Sequence, residues 1–216
     1  MPREKIPGIF CVEGDWSSRL TDRASVRDML ELLESVDRIR FIYEHVSTST
    51  EAFFEALQRW RERQYASYSI GYFAFHGKPG KLLLGRKSVT LDKLADVLKG
   101  ACEGKTLYFG SCSVLQVPKE QIAVFRRKTK VKAVVGFTRD VNWLASAALD
   151  LILLEALAFN REGEAVEKWL RKEYGELAQH LGLRMYYDPE PKPERPDEPG
   201  DGSAPSPDRP HPWWTH

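Results

Sequence analysis

Short apolar runs alternate with amphipathic segments along the first 187 residues. Apolar runs bounded by polar residues predict strands at 6–12, 38–43, 70–75, 105–110 and 131–137, with an edge strand at 183–187. Apolar positions at helical spacing predict helices at 25–35, 50–63, 91–99, 118–128, 142–159 and 163–180. Between the third and fourth strands, residues 82–84 and 87–90 predict a small hairpin.

Strands separated by helices predict a mainly parallel, twisted sheet with helices on both faces, which is an α/β fold. In such a sheet the functional crevice lies outside the carboxyl ends of the parallel strands. His76 follows the third predicted strand and Cys112 follows the fourth. The hairpin and helix between them are long enough for a crossover to a neighbouring parallel strand. We therefore expect the imidazole and the thiol to meet in one crevice.

The composition changes after position 187. Nine of the 13 prolines lie in residues 188–216, together with an excess of acidic residues. Such a segment cannot bury enough apolar surface to form a core, so we expect a solvated tail after a single domain at 1–187. Trp213 and Trp214 near the end of the tail are either solvated or a docking motif for a groove in this protein or a partner.

Charge and hydropathy narrow the range of functions. Lys and Arg number 32 and Asp and Glu 31, and the net charge of +1 gives no field that would draw the protein onto nucleic acid or an anionic membrane. No run approaches the roughly 18 to 20 apolar residues of a membrane span, and the N-terminus lacks the apolar core of a signal peptide. We expect a soluble, cytoplasmic protein.

The three cysteines differ in their surroundings. Cys11, Cys102 and Cys112 are too few and too irregularly spaced for a disulfide framework or a zinc site, so we expect no metal and no cofactor. Cys11 lies inside a predicted strand, and both it and Cys102 are expected to fill the core. Cys112 follows the end of a strand and stands between two serines, where a reactive thiol is favoured.

A cysteine and a histidine in one crevice predict nucleophilic catalysis. A free thiol with a pKa of about 8.5 is only a few per cent thiolate at neutral pH, so a neighbouring imidazole raises the reactive fraction. Cys112 then attacks a carbonyl carbon, and His76 donates a proton to the leaving amine. The backbone N–H of Gly77 is a candidate donor to the oxyanion. His45, which follows the second strand, is a rival base.

Two segments resemble a known superfamily. Phe73-Ala-Phe-His-Gly and Leu107-Tyr-Phe-Gly-Ser-Cys-Ser are similar to the catalytic strands of the caspase-like cysteine peptidases, which include caspases, metacaspases, gingipains, separase and the bacterial CHAT proteases. The resemblance covers about residues 6–160 in element order, and residues 134–145 look like the strand and helix that close the pocket in the CHAT branch. It implies a three-layer caspase-like sandwich, closest to small bacterial CHAT-type proteins.

The resemblance also implies roles for individual residues. Carried over by position, Cys112 is the nucleophile and His76 the acid and base. The backbone N–H groups of Gly77 and Cys112 are the implied oxyanion donors. The sequence departs from much of the superfamily in having no clear processing linker between the halves and a short segment after Cys112.

The implied specificity pocket is acidic. In the family this pocket is lined from the loop after the first strand and from the loop at the catalytic cysteine, and an additional contribution here comes from the loop after the fifth strand. These loops supply Glu13, Asp15, Ser111 and Asp140. By analogy with gingipains and metacaspases, an acidic floor implies Lys or Arg at the cleavage site. The alternative is that the acids are ordinary solvated loop charges.

The function that follows is hydrolysis of peptide bonds in a protein or peptide substrate. The resemblance implies that a protein partner, a small-molecule ligand or oligomerisation orders the loops, and it suggests a role in bacterial defence. Two alternatives stay open. One is a catalytically idle caspase-like or flavodoxin-like module that binds a ligand or protein in the same crevice. The other is acyl transfer or amide hydrolysis on a small molecule by the same residues.

Overall fold

The computed structural model describes residues 6–19, 21–159 and 163–187. Six strands form the central sheet: β1 (Gly8–Gly14), β2 (Arg40–Ser47), β3 (Tyr68–Ala74), β7 (Thr106–Phe109), β8 (Ala133–Phe137) and β9 (Leu183–Tyr187). Three more form a small antiparallel sheet: β4 (His76–Lys78), β5 (Lys81–Leu84) and β6 (Lys87–Thr90). The helices are α1 (Arg27–Ser35), α2 (Thr50–Trp60), α3 (Leu91–Val97), α4 (Lys119–Thr129), α5 (Trp143–Phe159) and α6 (Gly163–His180).

The strand order in the central sheet is β2-β1-β3-β7-β8-β9. The first five strands are parallel, and β9 pairs with β8 in the antiparallel sense. Each parallel connection from β1 to β8 crosses over through a helix, because parallel neighbours cannot be joined by a tight turn. The mainly parallel α/β sheet predicted from the sequence is therefore confirmed, and β3 and β7, which precede His76 and Cys112, are neighbours.

Both faces of the sheet are apolar and covered. Phe10 and Val12 of β1 belong to a buried cluster that includes side chains of α2, α3 and α4. Ile9 and Cys11 point to the opposite face, into a cluster that includes side chains of α1, α5 and α6. This alternation explains why the strands are almost continuously hydrophobic, and it confirms the three-layer arrangement.

Two local details differ from the sequence prediction. Helix α1 begins at Arg27 with Val26 as its N-cap, two residues after the predicted start of the helix at 25, and the Ser25 hydroxyl accepts from the Arg27 N–H and donates to the Glu13 carboxylate. The hairpin after β3 has a third strand, β4, because the turn at Pro79 and Gly80 (φ 71°) folds His76–Lys78 back onto β5. His76 therefore lies on a strand and not in a loop.

None of the helices in the described ranges is long and apolar enough to cross a membrane. The predicted tail at 188–216, with Trp213 and Trp214, lies outside the described residues.

A buried carboxyl group sits under the centre of the sheet. Asp150 of α5 is 3% exposed and accepts hydrogen bonds from the hydroxyls of Tyr72, at 2.7 Å, and Tyr108. These two tyrosines are opposite each other on β3 and β7. Burial raises the pKa of Asp150 from 3.8 to about 7, although both hydroxyls oppose the shift by stabilising the carboxylate.

The raised pKa of Asp150 predicts a pH-dependent stability. Between pH 4 and 7 the folded state holds a proton that the unfolded state has released, so the free energy of unfolding falls as pH rises, by up to about 1.4 kcal/mol per pH unit. In Asp150→Asn this contribution is absent, and the amide can accept from one tyrosine and donate to the other. We expect urea unfolding at pH 5 to 8 to show wild type losing stability relative to the variant. A difference that is constant with pH would contradict the assignment.

Candidate active site

The carboxyl ends of the paired strands β3 and β7 lie side by side. Phe73 is opposite Phe109 in the parallel register, so His76 and Cys112 each follow three residues later. Beyond the paired positions, the buried Ser111 hydroxyl accepts from the Phe75 N–H at 3.2 Å and donates to the Phe73 carbonyl at 3.3 Å. These bonds continue the strand pairing up to the two candidate catalytic positions.

Gly77 touches the main chain at Cys112. A Cβ atom at position 77 would lie 2.2 Å from the Cys112 carbonyl oxygen and 2.6 Å from Cγ2 of Val114, well inside contact distance. Only glycine leaves room for this approach. The segment that carries His76 therefore lies directly against the segment that carries Cys112.

The His76 imidazole has one nitrogen engaged. Its Nε2 lies 2.6 Å from the backbone carbonyl oxygen of Trp16, and the edge-to-face indole ring is 5.4 Å away between ring centroids. A carbonyl oxygen only accepts, so Nε2 carries the proton and donates it. In the neutral imidazole Nδ1 is then the unprotonated nitrogen, which is the state a general base needs. The imidazole is exposed to solvent.

The Cys112 thiol is engaged by a different loop. The Val141 N–H donates to Sγ at 3.4 Å, and Sγ lies 3.8 Å from the Val141 carbonyl oxygen. Among the described residues no hydrogen bond joins Sγ to His76. The two groups share one edge of the sheet, but the thiol is turned toward Val141. Catalytic hydrogen bonds are often loose without substrate.

The loop after Cys112 is fixed to the loop after β8. Ser113 adopts a left-handed conformation (φ 54°), its N–H donates to the Arg139 carbonyl at 3.0 Å, and its hydroxyl donates to Asp140 at 2.5 Å. A non-glycine residue in this region is strained unless its surroundings hold it. Asp140, predicted as part of a substrate pocket, accepts this bond and holds the loop after Cys112.

Two backbone N–H groups are available near the thiol. A two-residue turn joins β4 and β5, so the residues that flank it, Lys78 and Lys81, form a hydrogen-bonded pair. Hydrogen-bonded and non-hydrogen-bonded pairs alternate along antiparallel strands, so the next pair, which contains Gly77, is not hydrogen-bonded and the Gly77 N–H points away from β5. The N–H of Cys112 donates no hydrogen bond within the part of the chain that the structure describes. Among the described residues, neither predicted oxyanion donor is therefore engaged by another backbone group.

The predicted substrate-binding residues occupy separate places. Glu13 and Asp15 line a cavity of about 530 Å³ at the ends of β1 and β2, while Ser111 and Asp140 are not among its walls. Glu13 is buried, and Asp15 is paired with His45 at 3.0 Å and with the Ser47 hydroxyl at 2.6 Å. Arg19, Arg23 and Arg27 line the same cavity, so its walls are not uniformly acidic.

His45, the rival base, is on the wrong strand for Cys112. It belongs to β2, which is separated from β7 by β1 and β3. Three strand spacings amount to about 14 Å, which is too far for proton transfer to a thiol at the end of β7.

Sequence reasoning missed two contributors. Trp16 holds His76 through its backbone carbonyl, and Val141 holds the thiol through its backbone N–H and carbonyl. Main-chain groups carry no residue-type signal, so only the fold reveals them. No group of three or more His, Cys, Asp or Glu that could hold a metal ion occurs in the described ranges.

Comparisons with known proteins agree with the fold. A sequence model described as "Family of unknown function (DUF6642)" matches residues 7–187. No curated protein sequence matches the chain. The structure is similar to caspase-1 from Spodoptera frugiperda, with a TM-score of 0.52 and 10% identity, covering 86% of this chain and 90% of that one.

A bacterial peptidase shows the same likeness. A secreted C11 cysteine protease from Bacteroides thetaiotaomicron, solved with an irreversible peptide inhibitor, gives a TM-score of 0.50 and 12% identity, covering 79% of this chain and 59% of that one. At such identities the likeness establishes the fold alone. The caspase-like α/β sandwich implied by the sequence resemblance is confirmed.

Proposed function

The chain belongs to DUF6642, a family of unknown function, and we propose that it is a caspase-like cysteine peptidase with Cys112 as nucleophile and His76 as acid and base. One observation carries the proposal. Neighbouring parallel strands deliver both residues to one edge of the sheet, in register and in main-chain contact through Gly77. That edge is where open α/β sheets place their functional sites.

The residues support a two-step mechanism. Nδ1 of His76 accepts the thiol proton, and Sγ of Cys112 attacks the carbonyl carbon of the substrate. The Gly77 and Cys112 N–H groups donate to the oxyanion that forms. His76 then returns the proton to the leaving amine, which gives a thioester and a free amine. Water, deprotonated by His76, attacks the thioester and releases the acid and the thiol.

The position of the thiol supports a need for activation. Because Sγ is bound to Val141 and not to His76, the Cys112 side chain must turn before proton transfer. A binding partner would supply that change if it bound the arrangement with the thiol turned toward His76 more tightly than the arrangement observed. The partner would be a protein or peptide substrate, an activating protein, a small-molecule ligand or a second copy of the chain. The closer likeness to CHAT proteases, the cytoplasmic location and the role in bacterial defence stay predictions.

The preference for Lys or Arg at the cleavage site also stays a prediction. It depends on Asp15 and Asp140, which are exposed, because Glu13 is 1% exposed and its oxygens are already hydrogen-bonded. A panel of fluorogenic peptides tests it. We expect faster cleavage after Lys or Arg, and Asp15→Asn should reduce that preference. Faster cleavage after Asp or an apolar residue would contradict it.

The proposed function is tested with a peptidyl acyloxymethyl ketone. An activated thiolate displaces the carboxylate from the carbon next to the ketone, which leaves the peptide attached through a stable thioether. We expect a single adduct in the intact mass, located at Cys112 by peptide mapping, and none in Cys112→Ala. If none of the peptidyl probes labels Cys112, peptidase function is contradicted. Labelling by small-molecule amide analogues alone would favour the small-molecule alternative.

A further inference from the structure

Glu13 is a buried carboxylate with every strong acceptor position filled. Its side chain accepts from the indole N–H of Trp16 at 2.5 Å, the Val26 N–H at 2.9 Å, the Ser25 hydroxyl at 2.7 Å and the Tyr43 hydroxyl at 2.5 Å. A carboxylate offers about four such positions. It therefore has no free position for a substrate ammonium or guanidinium group, and its role must be sought in what it holds.

What Glu13 holds is the loop that contacts His76. Trp16 is hydrogen-bonded through both its side chain and its main chain. Its indole N–H donates to Glu13, and its backbone carbonyl accepts from His76 Nε2 at 2.6 Å. The indole ring also packs edge-on to the imidazole. A bond from a neutral donor to an ionised acceptor is stronger than a neutral pair, so the Glu13 bond restricts the orientation of Trp16.

The remaining bonds fix the carboxylate itself. Burial, and after it the hydrogen bond to Glu13, raise the pKa of Tyr43 far above its usual value. Its hydroxyl is therefore a donor over the whole working pH range. Val26 and Ser25 immediately precede α1, so the carboxylate is tied to a helix on one side and to β2 on the other. Trp16 is thus held by a rigid part of the fold.

We propose that Glu13 is a positioning residue that, through Trp16, holds the His76 imidazole in the tautomer with Nε2 protonated and Nδ1 free. This inference rests on the proposed function, in which Nδ1 is the base. It replaces the expectation that Glu13 contacts substrate with a role in orienting the acid and base.

The test uses three variants of the full-length protein. Trp16→Phe keeps an aromatic ring but deletes the indole N–H. Tyr43→Phe is the matched control, because it removes a different bond to the same carboxylate and leaves Trp16 untouched. Glu13→Gln is the conservative variant, whose amide oxygen can still accept from the indole while its NH₂ faces the Ser25 and Tyr43 hydroxyl oxygens. Circular dichroism and thermal unfolding confirm that each variant is folded.

The main readout is the tautomer of His76, from the ¹⁵N shifts of the ring nitrogens in the neutral form. We expect wild type and Tyr43→Phe to show almost complete protonation at Nε2, Trp16→Phe to move toward the tautomer mixture of a free imidazole, and Glu13→Gln to stay close to wild type. The rate of Cys112 alkylation at pH 7 should fall about fivefold in Trp16→Phe, since a bond to a charged group that orients the base is lost.

The outcomes separate this inference from the proposed function. Unchanged ¹⁵N shifts in folded Trp16→Phe, or an equal change in Tyr43→Phe, would overturn the positioning role. A changed tautomer in Trp16→Phe, in a protein whose Cys112 reactivity does not depend on His76, would support the positioning role and contradict the peptidase mechanism.

Discussion

Replacing Cys112 by alanine is expected to lower peptide hydrolysis by about 10³-fold or more, since removal of a covalent nucleophile leaves only binding and oxyanion contacts. The fold should be unaffected, because Cys112 is only partly buried and lies beyond the end of β7. Initial rates with the best fluorogenic peptide, together with circular dichroism, measure both properties. Cys112→Ser should be similarly inactive, because a hydroxyl is a far weaker acid than a thiol.

The matched control is the same substitution at Cys102. This thiol is fully buried and belongs to the apolar core, and burial raises its pKa to about 11. Cys102→Ala should reduce the free energy of unfolding by about 1–2 kcal/mol through lost packing, with little change in hydrolysis. If Cys112→Ala retained wild-type hydrolysis, Cys112 would not be the nucleophile. If neither protein hydrolysed peptides and Cys112→Ala kept the binding and cellular phenotype of wild type, the catalytically idle module would be the better account.

Replacing Gly77 by alanine is expected to damage both stability and activity. The new methyl group would overlap the Cys112 carbonyl oxygen, at 2.2 Å, and the backbone at Cys112 would have to move. Overpacking of this kind costs about 1–3 kcal/mol. Because a displacement near 1 Å between reacting groups can lower a rate by about 10²-fold, hydrolysis should fall by that order. Urea unfolding and peptide hydrolysis measure the two effects.

Gly175 provides the comparison for Gly77. It lies within α6, and a Cβ atom there meets nothing within 4 Å. Although Gly175 follows the kink at Tyr174 (φ −133°), a methyl group is accommodated there, so Gly175→Ala should change the free energy of unfolding by less than about 1 kcal/mol, with unchanged hydrolysis. Equal behaviour of the two glycine variants would show that the segments of His76 and Cys112 are not in tight contact.

The strand pattern was readable from the sequence because the sheet is buried on both faces. Runs that are almost entirely apolar, such as 131–137, are typical of such strands, and the polar residues that follow them mark the carboxyl ends. His76 stood out because it follows such a run directly, and Cys112 because it follows such a run after a single serine. Their adjacency followed from the length of the connection, and the register of β3 and β7 agrees with it.

The supporting contacts were not readable, for physical reasons. Main-chain groups of Trp16 and Val141 act at the site, and every residue type has the same main chain. Glu13 was predicted to line a substrate pocket, with a solvated loop charge as the alternative, because carboxylates are mostly exposed. Its burial depends on Trp16, Ser25 and Tyr43, which are brought together only by the folded loop. The left-handed Ser113 has no sequence signal either, as serine rarely adopts that conformation.

The most direct measurement of the central claim is the rate of Cys112 alkylation by iodoacetamide in wild type and in His76→Asn, followed by mass spectrometry from pH 6 to 9.5. If His76 takes the thiol proton, wild type should react about tenfold faster than His76→Asn at pH 7. The two rates should converge toward the upper end of the pH range, where the thiol ionises without help from the imidazole. Superimposable profiles for the two proteins across the whole range would show that the imidazole does not serve the thiol.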